Sequence, residues 1–93
     1  MKESDKRAAL LGAMIDPKLF TIDLHTAGDL HTALEQFEYG LDQALRCRAR
    51  ACRVIYGVGA GILAKEIHRK LSQNQTLRAW QEEESGGSAI VLF

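Results

Sequence analysis

The sequence predicts a single α/β domain, a two-layer α/β sandwich of order βαβαββ with a mixed four-stranded sheet. Three observations carry this. An alternating segment at residues 20–25 and a run of strand formers at residues 51–56 each lead, through a glycine turn, into an apolar stripe of helical period. Two further strand-like segments close the sequence around the turn EEESGG. The 93 residues, 46% hydrophobic and 26% charged, are enough for one core and no second.

Residues 1–19 are expected to form an N-terminal arm or short helix, and residues 20–93 the domain proper. Within the arm, residues 5–14 (DKRAALLGAM) place Leu10, Leu11 and Met14 on one side of a helix. Asp16-Pro17 then stops it, because the residue before proline avoids the helical region. Such an arm either docks on the domain or stays mobile. In residues 20–25, Phe20, Ile22 and Leu24 alternate with Thr21, Asp23 and His25, the pattern of a strand with two unlike faces. Gly28 marks a loop and Asp29 a helix N-cap. Leu30, Ala33, Leu34, Phe37, Leu41, Ala44 and Leu45 then recur in steps of three and four, as in an amphipathic helix that Gly40 weakens slightly.

Arg46, Arg48 and Arg50 mark the basic end of that helix, before the strand ACRVIY at residues 51–56. Gly57, Gly59 and Gly61 precede a second helix with Ile62, Leu63, Ile67 and Leu71 on its inner side and Lys65, Arg69 and Lys70 outside. Residues 77–81 and 88–93 complete the strands. A crossover helix makes the first two strands parallel, and the terminal hairpin is antiparallel, with both helices on one face.

Twelve basic and twelve acidic side chains leave a net charge of zero, which excludes a strongly electrostatic binder but permits a local basic patch. No apolar run is long enough to span a membrane, and the start MKESDKRAALL is too short in its apolar part for a secretory signal. Cys47 and Cys52 read as two reduced thiols of a cytoplasmic protein.

In open α/β sheets ligands bind beyond the carboxyl ends of parallel strands. One such end carries Asp23, His25 and Thr26; the other carries Tyr56 and the loop YGVGAG. The loop is neither the dinucleotide fingerprint, since Ile62 replaces its last glycine, nor a Walker loop. It reads equally as a phosphate cradle at a helix start or as a tight turn. Asp23 and His25 lie on one strand face, roughly 6.5–7 Å apart along it. They suit a histidine that exchanges a proton beside an aspartate that orients it or holds a cation, or else the polar end of a half-exposed strand.

His31 and His68 are expected on helix surfaces. Glu35, Glu38 and Asp42 belong to the solvent side of the first amphipathic helix, and Glu82, Glu83 and Glu84 form a solvated loop run. A two-metal centre therefore has little support. Arg53 and Lys65 stand near the glycine loop and could follow a phosphate backbone, or belong to ordinary surface charge.

The chain from about Thr21 to Phe93 resembles the small MutS-related (Smr) domain family. Its two signatures are Asp-Leu-His-Gly at the first strand end and His-Gly-x-Gly-x-Gly at the second, matched here by Asp23-Leu24-His25 and by Gly57, Gly59 and Gly61. Thr26 stands in place of the first signature's glycine and Tyr56 in place of the second signature's histidine. The resemblance implies a fold similar to the C-terminal domain of bacterial translation initiation factor three. It also implies an endonuclease that nicks or cleaves DNA or RNA, with its site at Asp23, Leu24 and His25 and at Gly57, Gly59 and Gly61. On that reading Asp23 and His25 are the catalytic candidates, and Tyr56, the three glycines and the nearby Arg53 and Lys65 are the candidates for holding the phosphate. The cofactor it admits is a divalent cation, magnesium or manganese, on Asp23. The expected partner is DNA or RNA, not a membrane; the oligomeric state is left open, a monomer being compatible with it. Because Tyr56 replaces a histidine, the alternative is a non-catalytic nucleic-acid binding module. A protein-interaction module is a further alternative, drawing on the zero net charge and the apolar tail AIVLF.

Overall fold

A computed structural model describes residues 2–59 and 61–93. The elements run α1 (Glu3–Met14), β1 (Phe20–Asp23), α2 (Leu30–Arg46), β2 (Ala51–Ile55), α3 (Gly61–Gln73), β3 (Ala79–Glu82) and β4 (Ser88–Leu92). The four strands form one mixed sheet of order β1-β2-β4-β3. β1 and β2 are parallel, with Asp23 opposite Ile55, and β4 is antiparallel to both β2 and β3. No helix among the described residues is long and apolar enough to cross a membrane.

Strand parity decides which layer each side chain enters. Ile22, Leu24, Cys52, Val54, Tyr56, Ala89 and Val91 face α2 and α3 and make the main core with Phe37, Leu41, Ile67 and Leu71. Ile90 and Leu92 face the other way and meet Leu10 and Ala13 of α1. The arm thus docks, and adds a third layer on the face opposite α2 and α3. Covered on both sides, all five residues of β4 are buried. The segment AIVLF is therefore the centre of the core and not a docking tail.

α2 starts where the sequence places its cap: the Asp29 carboxylate accepts the Thr32 N–H at 2.7 Å. It ends in a Schellman turn, with Ala49 N–H bonded to Ala44 O and Arg48 N–H to Leu45 O. Arg48 occupies the left-handed position usually given to glycine, at φ 59°.

Gly40 is less a flaw in α2 than a condition of its packing. A β-carbon there would lie 2.8 Å from both Cγ atoms of Ile22 and 2.9 Å from its Cδ1. Ile22 is buried and β-branched, so it has little freedom to yield. Gly40→Ala gains about 1 kcal/mol of helix propensity but overpacks the helix–sheet contact by about 1–3 kcal/mol. Chemical denaturation is expected to show a net loss of stability. The loss should disappear when the change is made in an Ile22→Ala background.

Candidate functional site

The carboxyl ends of β1 and β2 open into a cleft of about 410 Å³ bordered by Asp23, His25, Gly57, Val58, Gly87 and Ser88. It lies on the α1 face of the sheet, because Ile22 and Leu24 turn inward and send Asp23 and His25 outward. Leu24 is buried, and its N–H donates to Ile55 O at 2.7 Å, which extends the parallel pairing one residue past β1. His25 is thereby pinned at the cleft although it lies beyond the strand.

Asp23 and His25 form a local pair. The Asp23 carboxylate accepts the His25 backbone N–H at 3.1 Å, and the same oxygen meets His25 Nδ1. That contact orients the imidazole and leaves Nε2 toward solvent; the two side chains are 54% and 47% exposed for His25 and Asp23. The hydrogen bonds from the His25 ring and backbone hold the Asp23 carboxyl below the usual carboxylate value.

Of the three loop glycines, backbone geometry requires two: Gly57 and Gly59 have φ of 93° and 86°. A β-carbon on Gly57 would stand 3.4 Å from that of His25, so the loop and the histidine are direct neighbours. Gly61 opens α3. The Gly57 N–H is not free for a phosphate. It shares Gly87 O with the Tyr56 N–H, at 2.9 and 3.0 Å.

Tyr56 is not in the cleft. Parity along β2 sends it, like Val54, into the α2–α3 layer, where it is 1% exposed. Its hydroxyl lies 2.7 Å from His68 Nε2, which is also 3.0 Å from Glu82 Oε2. The His68 ring meets Tyr56 edge-on and stacks on Trp80. The burial of Tyr56 away from the cleft leaves no face for a base to stack on, and that burial, then the charge of Glu82, pushes the phenol up to about 12. His68 is correspondingly a packed residue and not a solvated one. Lys65 rides on the exposed side of α3 in that same layer, away from the cleft.

Arg53 does reach the cleft rim, but it is engaged. Its guanidinium binds both oxygens of Glu83, at 2.7 and 3.2 Å, and donates to Met14 O at 2.9 Å, fastening the end of α1. Ser88 Oγ donates to Glu83 Oε1 at 2.7 Å. Glu82 and Glu83, expected as a solvated run, instead point to opposite faces and anchor His68 and Arg53. Strand alternation continued through AWQEE would have revealed this.

Burial alone would raise the Glu83 carboxyl, yet the hydrogen bonds from Arg53 and Ser88 and the charge of Arg53 leave it below 4.5. A carboxyl depressed in the folded state contributes stability above its unfolded pKa, and that contribution is lost as pH falls through the folded value. The melting temperature should fall on acidification below 4.5, and Glu83→Gln should be less stable at neutral pH with a flatter acid limb. Thermal melts from pH 6 to 3 check both.

The donor set does not fit a resident divalent ion. Among the described residues no three His, Cys, Asp or Glu side chains gather as ligands. In the cleft, Asp23 is the one carboxylate, and one of its oxygens holds His25. Neither cysteine lines the cleft, and burial pushes the Cys52 thiol up to about 12.

The family model described as the Smr domain matches residues 22–93. The chain is also similar to the crystal structure of the Smr domain of Thermus thermophilus MutS2, with a TM-score of 0.71 at 20% identity, over 80% of this chain and 96% of that one. A comparison with curated proteins finds no match.

Proposed function

The chain belongs to the Smr domain family, and from that premise we propose that it is a phosphodiester endonuclease worked by the Asp23–His25 pair. The observation that supports this most is the pair itself. A carboxylate fixes Nδ1 of a histidine whose Nε2 faces an open cleft walled by a glycine loop. Asp23 selects the tautomer with the proton on Nδ1, so Nε2 is free to accept a proton from the attacking hydroxyl or water. The Gly57–Val58 wall then limits where the scissile phosphate can sit. Loop amides beyond Gly57 and the α3 start would face its oxygens.

The test is cleavage of supercoiled plasmid, structured RNA and single strands, with magnesium, manganese or chelator. Cleavage that the wild type performs and Asp23→Asn does not supports the assignment. Equal cleavage by both removes it.

A second reading, nucleic-acid binding without cleavage, is favoured by one observation. The cation nearest the pair, Arg53, is neutralised by Glu83 and offers no second charge to a transition state. Salt-dependent binding by a wild-type protein inactive on every substrate and metal would select it.

A further inference from the structure

We infer that a groove at the opposite end of the sheet from the Asp23–His25 pair is a binding site for nucleotide phosphate. The inference deepens the nucleic-acid reading above, and rests on it, by naming where the polyanion is held. The problem it answers is electrostatic. The cleft contains the Asp23 carboxylate, and its arginine is already paired with Glu83. A polyanion gains little attraction there.

The positive charge without a carboxylate partner lies elsewhere. Arg46, Arg53, Arg69 and Lys70 are all paired with acidic side chains. The other eight Lys and Arg side chains have no such partner among the described residues, and three of them, Arg50, Arg78 and Lys18, line one groove of about 840 Å³ between α1 and the sheet end, while Lys2, Lys6, Arg7, Arg48 and Lys65 lie outside it. The register brings the two arginines together. Phe93 N–H donates to Arg50 O at 3.0 Å and Arg78 N–H to Leu92 O at 2.9 Å, so they flank the end of β4 from either side. With strands about 4.8 Å apart, their backbones stand roughly 10 Å from each other, a spacing that two long side chains close over one phosphate.

The remaining lining suits the rest of a nucleotide. Phe20 and Phe93 border it as well; each is half-buried against the main core and leaves only part of its aromatic surface at the groove. The wall from α1 is made of Ala9, Gly12 and Ala13, and a β-carbon on Gly12 would meet nothing within 4 Å. Asp16 is the one acid of the lining, and its Oδ1 accepts the Lys18 N–H at 2.9 Å. The volume is that of a small-ligand pocket. Phe20 and Asp23 bound β1, so the groove lies on the order of 10 Å along the strand from the pair. One strand of a few nucleotides can occupy both.

The test is fluorescence anisotropy of the whole chain with a labelled 20-nucleotide single strand and a matching duplex over a salt series, with AMP as the free-nucleotide arm. The Arg50→Glu/Arg78→Glu variant is expected to lose about tenfold or more in affinity, and its log–log salt slope to fall by about two. Arg69→Glu on α3, which makes the same charge change per residue, should lose far less. Saturable AMP binding that depends on the two arginines assigns the groove to a free nucleotide; dependence for the strands alone assigns it to the nucleic-acid backbone. The inference is overturned if the double variant binds like the wild type, if Arg69→Glu loses as much per charge, or if the wild type binds none of the probes. Cleavage measured on the same samples separates the two proposals. Arginine-dependent binding with no cleavage sinks the nuclease and keeps the groove; cleavage with arginine-independent binding does the reverse.

Discussion

Replacing His25 by alanine is expected to lower phosphodiester cleavage by roughly two to four orders of magnitude, the usual worth of a positioned proton-transfer group. Folding should be untouched, because the side chain is about half exposed and contributes nothing to either core. Asp23→Asn should cost nearly as much for a different reason. A carboxamide can donate toward Nδ1, which places the imidazole proton on Nε2 and removes the acceptor. The decisive comparison is rate at saturating substrate with the melting temperature measured alongside. A His25→Ala protein that cuts at the wild-type rate ends the assignment. One that cuts slowly but also melts early would point to a structural role, which the exposure of the ring makes difficult to sustain.

The second large effect is on stability. Tyr56→Ala removes a fully buried ring and leaves a cavity between β2 and α3, an expected loss of about 3–5 kcal/mol. Tyr56→Phe keeps the ring and removes the hydrogen bond to His68 Nε2, an expected loss of about 1–2 kcal/mol. Urea unfolding measures both. Because Tyr56 points away from the cleft, Tyr56→Phe should cleave, if the wild type does, at an unchanged rate under conditions where both are folded. A rate loss of the size expected for His25→Ala would instead place the hydroxyl in the chemistry and contradict the side of the sheet on which it lies.

The side of the sheet that Tyr56 occupies is legible in the sequence. Cys52, Val54 and Tyr56 share one parity, as do Arg53, Ile55 and Gly57, and the buried Val54 assigns Tyr56 to the core side. Motif position placed it beside His25; strand geometry places it behind the sheet. The helices α2 and α3 were legible because each carries a wide apolar stripe that only one face can bury. The parallel pairing of β1 with β2 followed from the helix between them.

The docking of α1 was harder, because its apolar residues do not converge. Leu10 and Ala13 are buried, while Leu11 and Ile15 stand in solvent. The signal lay in another element: SAIVL is apolar at successive positions, as in a strand covered on both faces, and something had to cover the second one. The Asp23–His25 pair was legible from its spacing. The arginine groove was not, since Arg50 and Arg78 meet only at the sheet end and Lys18 joins them from the turn after α1.

The position of β4 has a consequence for how the chain acquires its structure. It is the last strand in order and an inner strand of the sheet, hydrogen-bonded to both β2 and β3. During synthesis β1, β2 and both flanking helices emerge before the strand that joins them to β3. The nascent chain must therefore wait, partly collapsed, with a free inner edge. Insertion of Ser88–Leu92 then closes both cores in one step, which favours an all-or-none transition dominated by long-range contacts. Until that step the run AIVLF, apolar, uncharged and rich in strand formers, is the segment most prone to pair with another copy of itself.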